Sequence, residues 1–539
     1  MQKVRKIGLN ILLAVLLIAF SYKVLPVISL RFAALWIIAA LILALVSINV
    51  SGINTLFKQI VLPLLPIIIF ALISLFSTPM FRSSSYKSLL PKISTVSFTQ
   101  KINPIDPKQL PTVNAAVALN LADKVLGQDA TIGSKSELGD LTLQSVNGKM
   151  YYVAPLLHSG FMKWLLNDGT PGYVIVSATD QTDVRLVTTL NGQPLHIKYQ
   201  TKAFFNDYVY RKAYYSGNMS KGLTDATFEI DNSGRPFWTI STYDKTIGTQ
   251  GAKVTGVVTV DAQTGNVSNY NMTDIPKWID RVQPYNIVEN HINSYGDYIH
   301  GFFNFDNSGK FSTSSDLTLV YDKGNCYYYS GLTSVGKDTG TIGFILVNSR
   351  TEQPFVFNMS GASEKSAEAS AEGKVQNLGY KASPSVLVNV DSIPTYFTTL
   401  NDKNNLTKLY AMVSVKDYNV VGTGDTLQEC KNNYLQYLSS SGGSSGVGST
   451  GISKSLTGTV DRIGSFTINS TTYFNFTLKE APGVIYTVAS NLDASVPVTE
   501  PGDSISISYV DIGQPNITVN SFSNTKYGVL RSTIKTSNK

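Results

Sequence analysis

The sequence predicts an α+β protein: three N-terminal transmembrane helices, then tandem helix-plus-antiparallel-sheet units, then a small C-terminal β-barrel. Three observations carry that reading. Long apolar runs without a central charge open the chain, four segments with one turn–strand–strand pattern follow, and five short alternating strands close it behind a Ser/Gly-rich stretch. Residues 1–80 are expected to form the anchor, 81–111 a linker, 112–438 about four repeated units, 439–455 a flexible linker, 456–524 the barrel and 525–539 a tail.

The apolar runs are Ile7–Phe20 with extension toward Leu25, Phe32–Val50 and Ile60–Ser77. Each approaches the roughly 20 residues that a bilayer span needs. They are apolar on every side, whereas a soluble surface helix carries one apolar stripe. MQKVRK before the first run also resembles the start of a signal peptide, but no A-x-A-like cleavage site follows it.

Charge is unevenly placed. Nine of the 44 Lys and Arg lie in the first 92 residues, which hold no Asp or Glu, and the rest of the chain has 35 basic against 37 acidic residues. A nucleic-acid-binding surface would put the excess on the folded domains, so no nucleic acid is expected as a partner. Basic residues beside the spans favour a cytoplasmic N-terminus slightly, with Arg82, Lys87 and Lys92 opposing. The Ser/Thr/Asn/Tyr-rich composition of the remainder, which an odd number of spans then puts outside, decides the expected orientation. The expected location is the cell membrane, multi-pass, with the large C-terminal part extracytoplasmic and the lipid bilayer as one partner.

The repeat is read by aligning GKMYYVAPL (Gly148–Leu156), GRPFWTIST (Gly234–Thr242), GNCYYYSGL (Gly324–Leu332) and SIPTYFTTL (Ser392–Leu400). Each is a turn leading into a strand centred on an aromatic pair. A second alternating strand follows each, from Pro171, Thr255, Ile342 and Lys408, and a polar turn leads to a third. Ala115–Gly127 and Ser366–Gly379 precede two units as candidate helices, and Lys277–Ile299 precedes another, broken near Pro284. A helix across one face of a small antiparallel sheet buries one side of each alternating strand.

VTVDAQTGNV in the second unit resembles the strand–turn–strand signature of PepSY domains, V-x-V-D-A-x-T-G after a helix. The third unit, at Val347–Thr351, lacks the Asp and Gly, and the fourth keeps only the alternation. The stretch from Gly234 to Tyr434 is also similar to membrane-anchored proteins of Gram-positive bacteria that have no assigned activity. The resemblance implies an extracytoplasmic binding, scaffolding or protease-modulating role and brings no catalytic residues with it.

Behind SSSGGSSGVGSTGISKS, the segments LTGTVDRI, TTYFNFTLK, GVIYTVAS, DSISISYVD and PNITVNSF resemble the five strands of an OB-fold. From Leu456 onward six basic residues are balanced by six acidic ones, so no charge excess would hold phosphates.

No catalytic, cofactor-binding or metal set is visible. Gly331–Asp338 nearly matches a P-loop, but Asp338 stands where a hydroxyl must reach Mg²⁺ and strand residues follow. Gly442–Gly446 matches a nucleophile elbow only inside the Ser/Gly linker. His158, His196, His291 and His300 form no zinc-binding pair. Glu364, Glu368 and Glu372 line one helical face, as a solvated stripe or as a contact for a cation or basic partner. Cys326 and Cys430 permit one disulfide without implying it.

The candidate binding surface is aromatic: Tyr327, Tyr328 and Tyr329 in the third unit, and Tyr473, Phe474 and Tyr486 in the barrel, where packing into the barrel core is the competing reading. Consecutive strand residues point to opposite faces, so at least one tyrosine of the triplet faces away from the covering helix. There it suits either a contact surface or packing between repeats. The function expected from the sequence is a membrane-anchored extracytoplasmic binding or scaffold protein, modulating an envelope protease or assembly, with an envelope protein or a second copy as partner. A cell-envelope hydrolase and a membrane-bound nucleic-acid-handling protein are the alternatives.

Overall fold

The computed structural model describes residues 2–47, 60–103, 110–322, 324–335, 340–440, 452–468, 471–511 and 516–528. The fold is α+β, and the chain divides into two compact units, one of Met1–Ser97 with Lys108–Ser363 and the other of Phe98–Pro107 with Glu364–Lys539.

The chain opens with four helices: α1 (Gln2–Val24), α2 (Ala33–Ser47), α3 (Leu62–Phe76) and α4 (Pro79–Lys87). Three membrane-spanning helices are not what these residues form. Among the described residues no single helix is long and apolar enough to cross a bilayer. Helices α2 and α3 have 15 residues each, about 22 Å at 1.5 Å per residue, against a hydrocarbon core of about 30 Å. The apolar part of α1 is Ala14–Val24, and it ends where Leu25 turns to a positive φ before Pro26. Helices α3 and α4 reach the required length only as a pair, and that pair is bent by 58°. Thr78, extended at ψ 159°, makes the break, as the residue before a proline is driven out of the helical region. Hydropathy saw continuous apolar runs; it could not see these stops.

Among the described residues the first unit contains three larger sheets, besides a two-stranded ribbon of Thr189–Leu190 and Gln193–Pro194. Each of the larger sheets holds an antiparallel meander of four strands, one more than the sequence pattern indicated, with the aromatic-pair strand second. The first meander is Thr142–Val146, Lys149–His158, Tyr173–Ser177 and Val184–Val187; the second is Gly222–Ile230, Pro236–Ile247, Gln250–Asp261 and Val267–Asn271; the third is Thr318–Asp322, Asn325–Ser334, Thr341–Asn348 and Pro354–Phe357. A helix precedes each: Ala115–Gly127, Val209–Tyr215 and Tyr285–Asp297. Asn114 caps the first of these by accepting from Val117 N at 3.0 Å. The third starts directly after Pro284, where the sequence placed its break.

The sheets are not independent beads. In the first, Met150, Tyr152 and Leu156 pack under the helix with Val117, Ala118 and Ala122. The alternate residues Tyr151, Val153 and Leu157 share a core with Phe228, Trp238 and Val258 of the second sheet. Lys149–His158 is therefore buried on both faces. Residues expected in the 81–111 linker are partly built into this unit: Leu90 lies in the third sheet's core, and Ser94–Thr95 pairs in parallel with the Pro354–Phe357 strand.

The second unit joins a fourth sheet to the barrel. Val386–Val390, Ile393–Asn401, Thr407–Ser414 and Val421–Gly424 form the meander, with the Glu364–Lys374 helix before it and Leu427–Ser440 after it. The barrel closes in the order Ile452–Ile468, Thr471–Leu478, Ala481–Ala489, Asn516–Asn524, Ser504–Asp511. The Leu427–Ser440 helix contacts its Asn516–Asn524 strand, so the barrel is not held by a linker alone. Residues 441–451 of the Ser/Gly stretch lie outside the described residues, as do 529–539 of the tail.

Candidate functional site

Two features of the first unit stand out chemically. The first is the join between the N-terminal helices and the second sheet. At the end of α1 and just beyond it the chain is pinned by hydrogen bonds to its own backbone carbonyls. Arg211 donates to Tyr22 O at 3.0 and 3.3 Å, with its guanidinium 4.0 Å from the Tyr22 ring centre. Tyr214 donates to Pro26 O at 2.6 Å. Arg31 then reaches Asp244 Oδ2 at 2.8 Å and Lys245 O at 2.7 Å, beside a Phe32–Tyr243 ring contact at 5.8 Å.

The tip of the same hairpin meets the end of α3. Thr249 N donates to Ser77 Oγ at 3.2 Å, and Thr249 Oγ1 donates to Ser74 Oγ at 2.9 Å. Gly248 is required there: its φ is +57°, and a Cβ would stand 2.1 Å from Ser77 Oγ. The hairpin is thus gripped from two sides by the helical segment.

The helices held in this way leave large apolar side chains in the open. Leu16 and Ile18 of α1, Ile37 and Ile42 of α2, and Ile68 and Leu75 of α3 are all exposed. So are Phe161, Met162, Leu165 and Leu166 of the Phe161–Leu166 helix, together with Phe204 and Phe205. This second patch is one aromatic cluster, with Phe161–Phe204 at 5.1 Å and Trp164–Phe205 at 5.7 Å. It adjoins the end of α1, because Arg211 donates both to Tyr22 O and to Phe205 O. Fully burying one exposed side chain of this size is worth about 1.5–3 kcal/mol, and these side chains, part-exposed, forgo a share of that; clustered apolar surface is a candidate contact region.

The second feature is a buried polar network between the second and third sheets. Glu229 is fully buried and accepts from Thr239 Oγ1 at 2.8 Å and Thr227 Oγ1 at 3.2 Å. Asp280 accepts from Ser145 N at 2.6 Å and from Tyr321 OH at 3.3 Å. Burial, followed by the neighbouring Asp280 carboxyl, pushes Glu229 up to about 7; burial pushes Asp280 up to about 6. Arg281 pairs with both oxygens of Asp225 at 2.8 and 2.9 Å. Arg350 donates to Ile275 O at 3.0 Å and Pro276 O at 2.9 Å. The Cys326 thiol, also fully buried, is pushed up to about 12, which removes its nucleophilic form at ordinary pH. Glu229, Asp280 and Cys326 are buried, while Asp225, Arg281 and Arg350 are only partly so; the network links the sheets rather than offering a surface.

Of the two readings of the aromatic residues singled out from sequence, contact surface or packing, the structure places most of them in packing. Tyr327, Tyr328 and Tyr329 are all buried. Tyr327 meets Phe355 edge-on at 6.4 Å, Tyr328 donates to Gln283 O at 2.7 Å, and Tyr329 stacks on Phe344 at 6.1 Å. Both faces of their strand are covered, so alternation exposes none of them. Tyr486 is a barrel-core residue, stacked on Phe476 at 5.5 Å. Phe474 packs against that core as a partly buried residue. Tyr473 is half-buried, stacked on Phe466 at 5.7 Å; of the six it and Phe474 keep access to solvent.

Other candidates resolve into structure. His291 bridges Glu352 and Ala252 O, joining a helix to two sheets. Glu368 accepts from Ser385 N at 2.8 Å and Glu372 from Ala382 N at 3.1 Å, while Glu364 is buried, so the expected solvated stripe instead caps a sheet edge. Gly331–Ser334 of the P-loop near-match lies in a strand, and 336–339 lie outside the described residues. Cys326 and Cys430 are free and buried. No cluster of metal-ligating side chains occurs among the described residues.

No family model matches the chain, and no curated protein matches it in sequence. Among solved structures, a Trypanosoma rangeli sialidase aligns over 74% of this chain and 56% of its own at 9% identity and a TM-score of 0.17. A levansucrase mutant of B. megaterium aligns over 79% of this chain and 95% of its own at 10% identity and a TM-score of 0.18. The chain thus spans a little over half the length of the sialidase, and likeness at this level carries no argument about fold or activity.

Proposed function

We propose that this chain is a membrane-attached, extracytoplasmic binding or scaffold protein, whose N-terminal helices contact lipid and whose four helix-plus-meander modules, which we read as PepSY-like, present surface to an envelope protein or a second copy. The observation that carries this is the set of exposed apolar side chains on α1, α2 and α3, together with the adjoining Phe161–Leu166 patch. A segment of 92 residues with nine basic and no acidic side chains supports it, because such a balance is attracted to anionic lipid surfaces. The hydrogen bonds from Thr249 to Ser74 and Ser77 support a direct link between the attached helices and the second sheet.

The test is fractionation of cells making the full chain with a tag after Lys539. The protein should stay in the membrane pellet through alkaline carbonate, and an impermeant reagent should label the tag on intact cells. Release into the carbonate supernatant would end the lipid reading, and a tag labelled only after lysis would end the extracytoplasmic one.

A further inference from the structure

The bend between α3 and α4 opens a pocket of about 510 Å³ against the hairpin tip, within the usual range of small-molecule sites. Its walls differ in kind. Leu72, Ile73 and Phe76 of α3 and Ile247 of the hairpin make the apolar side, while Arg82 and Ser85 make the polar one. Ser77 also lines it, but its hydroxyl is engaged, donating to Ile73 O at 2.6 Å and accepting from Thr249 N.

Arg82 has no ion pair or side-chain hydrogen bond among the described residues, and no acidic residue occurs in the first 92 positions to supply one locally. Its backbone departs from helical geometry at φ −133° and ψ 24°. The kink at Arg82 means that helical spacing does not relate it to Ser85; it is the pocket that brings the two together, both lining it. A guanidinium with its donors free beside a hydroxyl, facing an apolar wall, suits a molecule with an anionic oxygen group at one end and a hydrocarbon chain at the other. Arg matches phosphate oxygens through paired N–H donors.

We propose that this elbow pocket binds an anionic phospholipid, one acyl chain lying against Leu72, Ile73 and Phe76 and the phosphate meeting Arg82 and Ser85. The assignment rests on the membrane-attached reading, and it adds a selectivity for lipid charge which that reading does not require.

The test uses the full chain with vesicles of phosphatidylcholine alone, and with part of it replaced by phosphatidylglycerol, each doped with a photoactivatable lipid of the matching headgroup. The phosphatidylglycerol probe should crosslink to the Ile69–Phe76 stretch and Ile247 more strongly than the phosphatidylcholine probe. Arg82→Gln should lower its yield about fivefold, the worth of one cationic side chain at an anionic membrane surface, with melting temperature unchanged. Arg82→Lys should recover only part of the yield, since it restores the charge but not the paired donors. Equal crosslinking of the two probes, or an Arg82→Gln yield equal to wild type, would overturn the assignment while vesicle flotation left the attachment standing. Failure to float on either vesicle would sink both.

Discussion

Glu229→Gln tests the buried network most directly. Glu229 occupies the Gly222–Ile230 strand with no exposed surface, and its carboxyl faces Asp280, Arg281, Tyr321, Tyr328 and Arg350. Folding raises its pKa from 4.5 to about 7, so the folded state holds a proton that the unfolded state has released between those values. Its contribution is fully present below 4.5 and is lost as pH rises through 7. Between pH 5 and pH 8 the loss comes to about 2–3 kcal/mol at 1.36 kcal/mol per pH unit. Glutamine keeps a neutral amide there, with its NH₂ able to face the Asp280 carboxyl, so the variant should lack this slope. His158, whose pKa burial lowers, acts oppositely: the fold loses stability as pH falls below 6.5. That effect is common to both proteins and cancels in their difference. Urea unfolding followed by tryptophan fluorescence is the assay, since Trp36, Trp164, Trp238 and Trp278 all lie in the first unit. The stability difference, variant minus wild type, should grow by 2–3 kcal/mol, about the figure above, from pH 5 to pH 8. A difference that stays flat would refute the placement of a protonated Glu229 in this core.

Gly265→Val should cost about 2 kcal/mol or more, because Gly265 has φ +72° and a Cβ there would approach the Tyr199 ring to within 2.4 Å; an unchanged melting temperature would contradict the hairpin geometry. Cys326 and Cys430 should resist a thiol reagent in the native protein and both react in denaturant, as buried free thiols do; reaction of only one equivalent or none in denaturant without reductant would indicate a linkage the structure lacks. Removing Lys454–Lys539 should make the fourth sheet more sensitive to protease while sparing residues 110–322, since the Leu427–Ser440 helix contacts the barrel; equal resistance of the fourth sheet would show that contact to be dispensable.

Local pattern made much of this fold legible. The aromatic pairs at Tyr151–Tyr152, Phe237–Trp238, Tyr327–Tyr328 and Tyr396–Phe397 do occupy the second strand of each meander, because a turn glycine or Asx residue before an alternating run is a short-range signal. VTVDAQTGNV owes its readability to the same range of interaction. Asp261 accepts from Gln263 N at 2.9 Å and Thr264 N at 2.7 Å, and Gly265 takes the left-handed turn. The first strand of each meander escaped notice because it precedes the aromatic pair and carries no comparable marker. The short Val209–Tyr215 helix escaped for the same reason: it has seven residues, too few for a period of 3.6 to declare itself.

What the sequence could not reveal is set by contacts between elements far apart in the chain. Alternation tells which residues of Lys149–His158 share a face, but not that both faces are covered, one by Val117 and Ala122 and the other by Phe228 and Val258. The same double covering turned Tyr327, Tyr328 and Tyr329 from a candidate surface into core. Glu229 and Asp280 are 51 residues apart, and nothing about either in isolation suggests a raised pKa; only their joint removal from water does. Conversely, the apolar runs of the N-terminal segment were plain, yet hydropathy records composition and not where a helix stops. The breaks at Leu25 and Thr78 shorten those helices and, at the second, create the bent pocket. An uninterrupted span through Ser77 and Thr78 would have no inner corner, and Arg82 would continue along the helix surface instead of facing Ile73 and Phe76 across the elbow. The feature that defeats the three-span reading is therefore the same one that gives the segment its most specific chemistry.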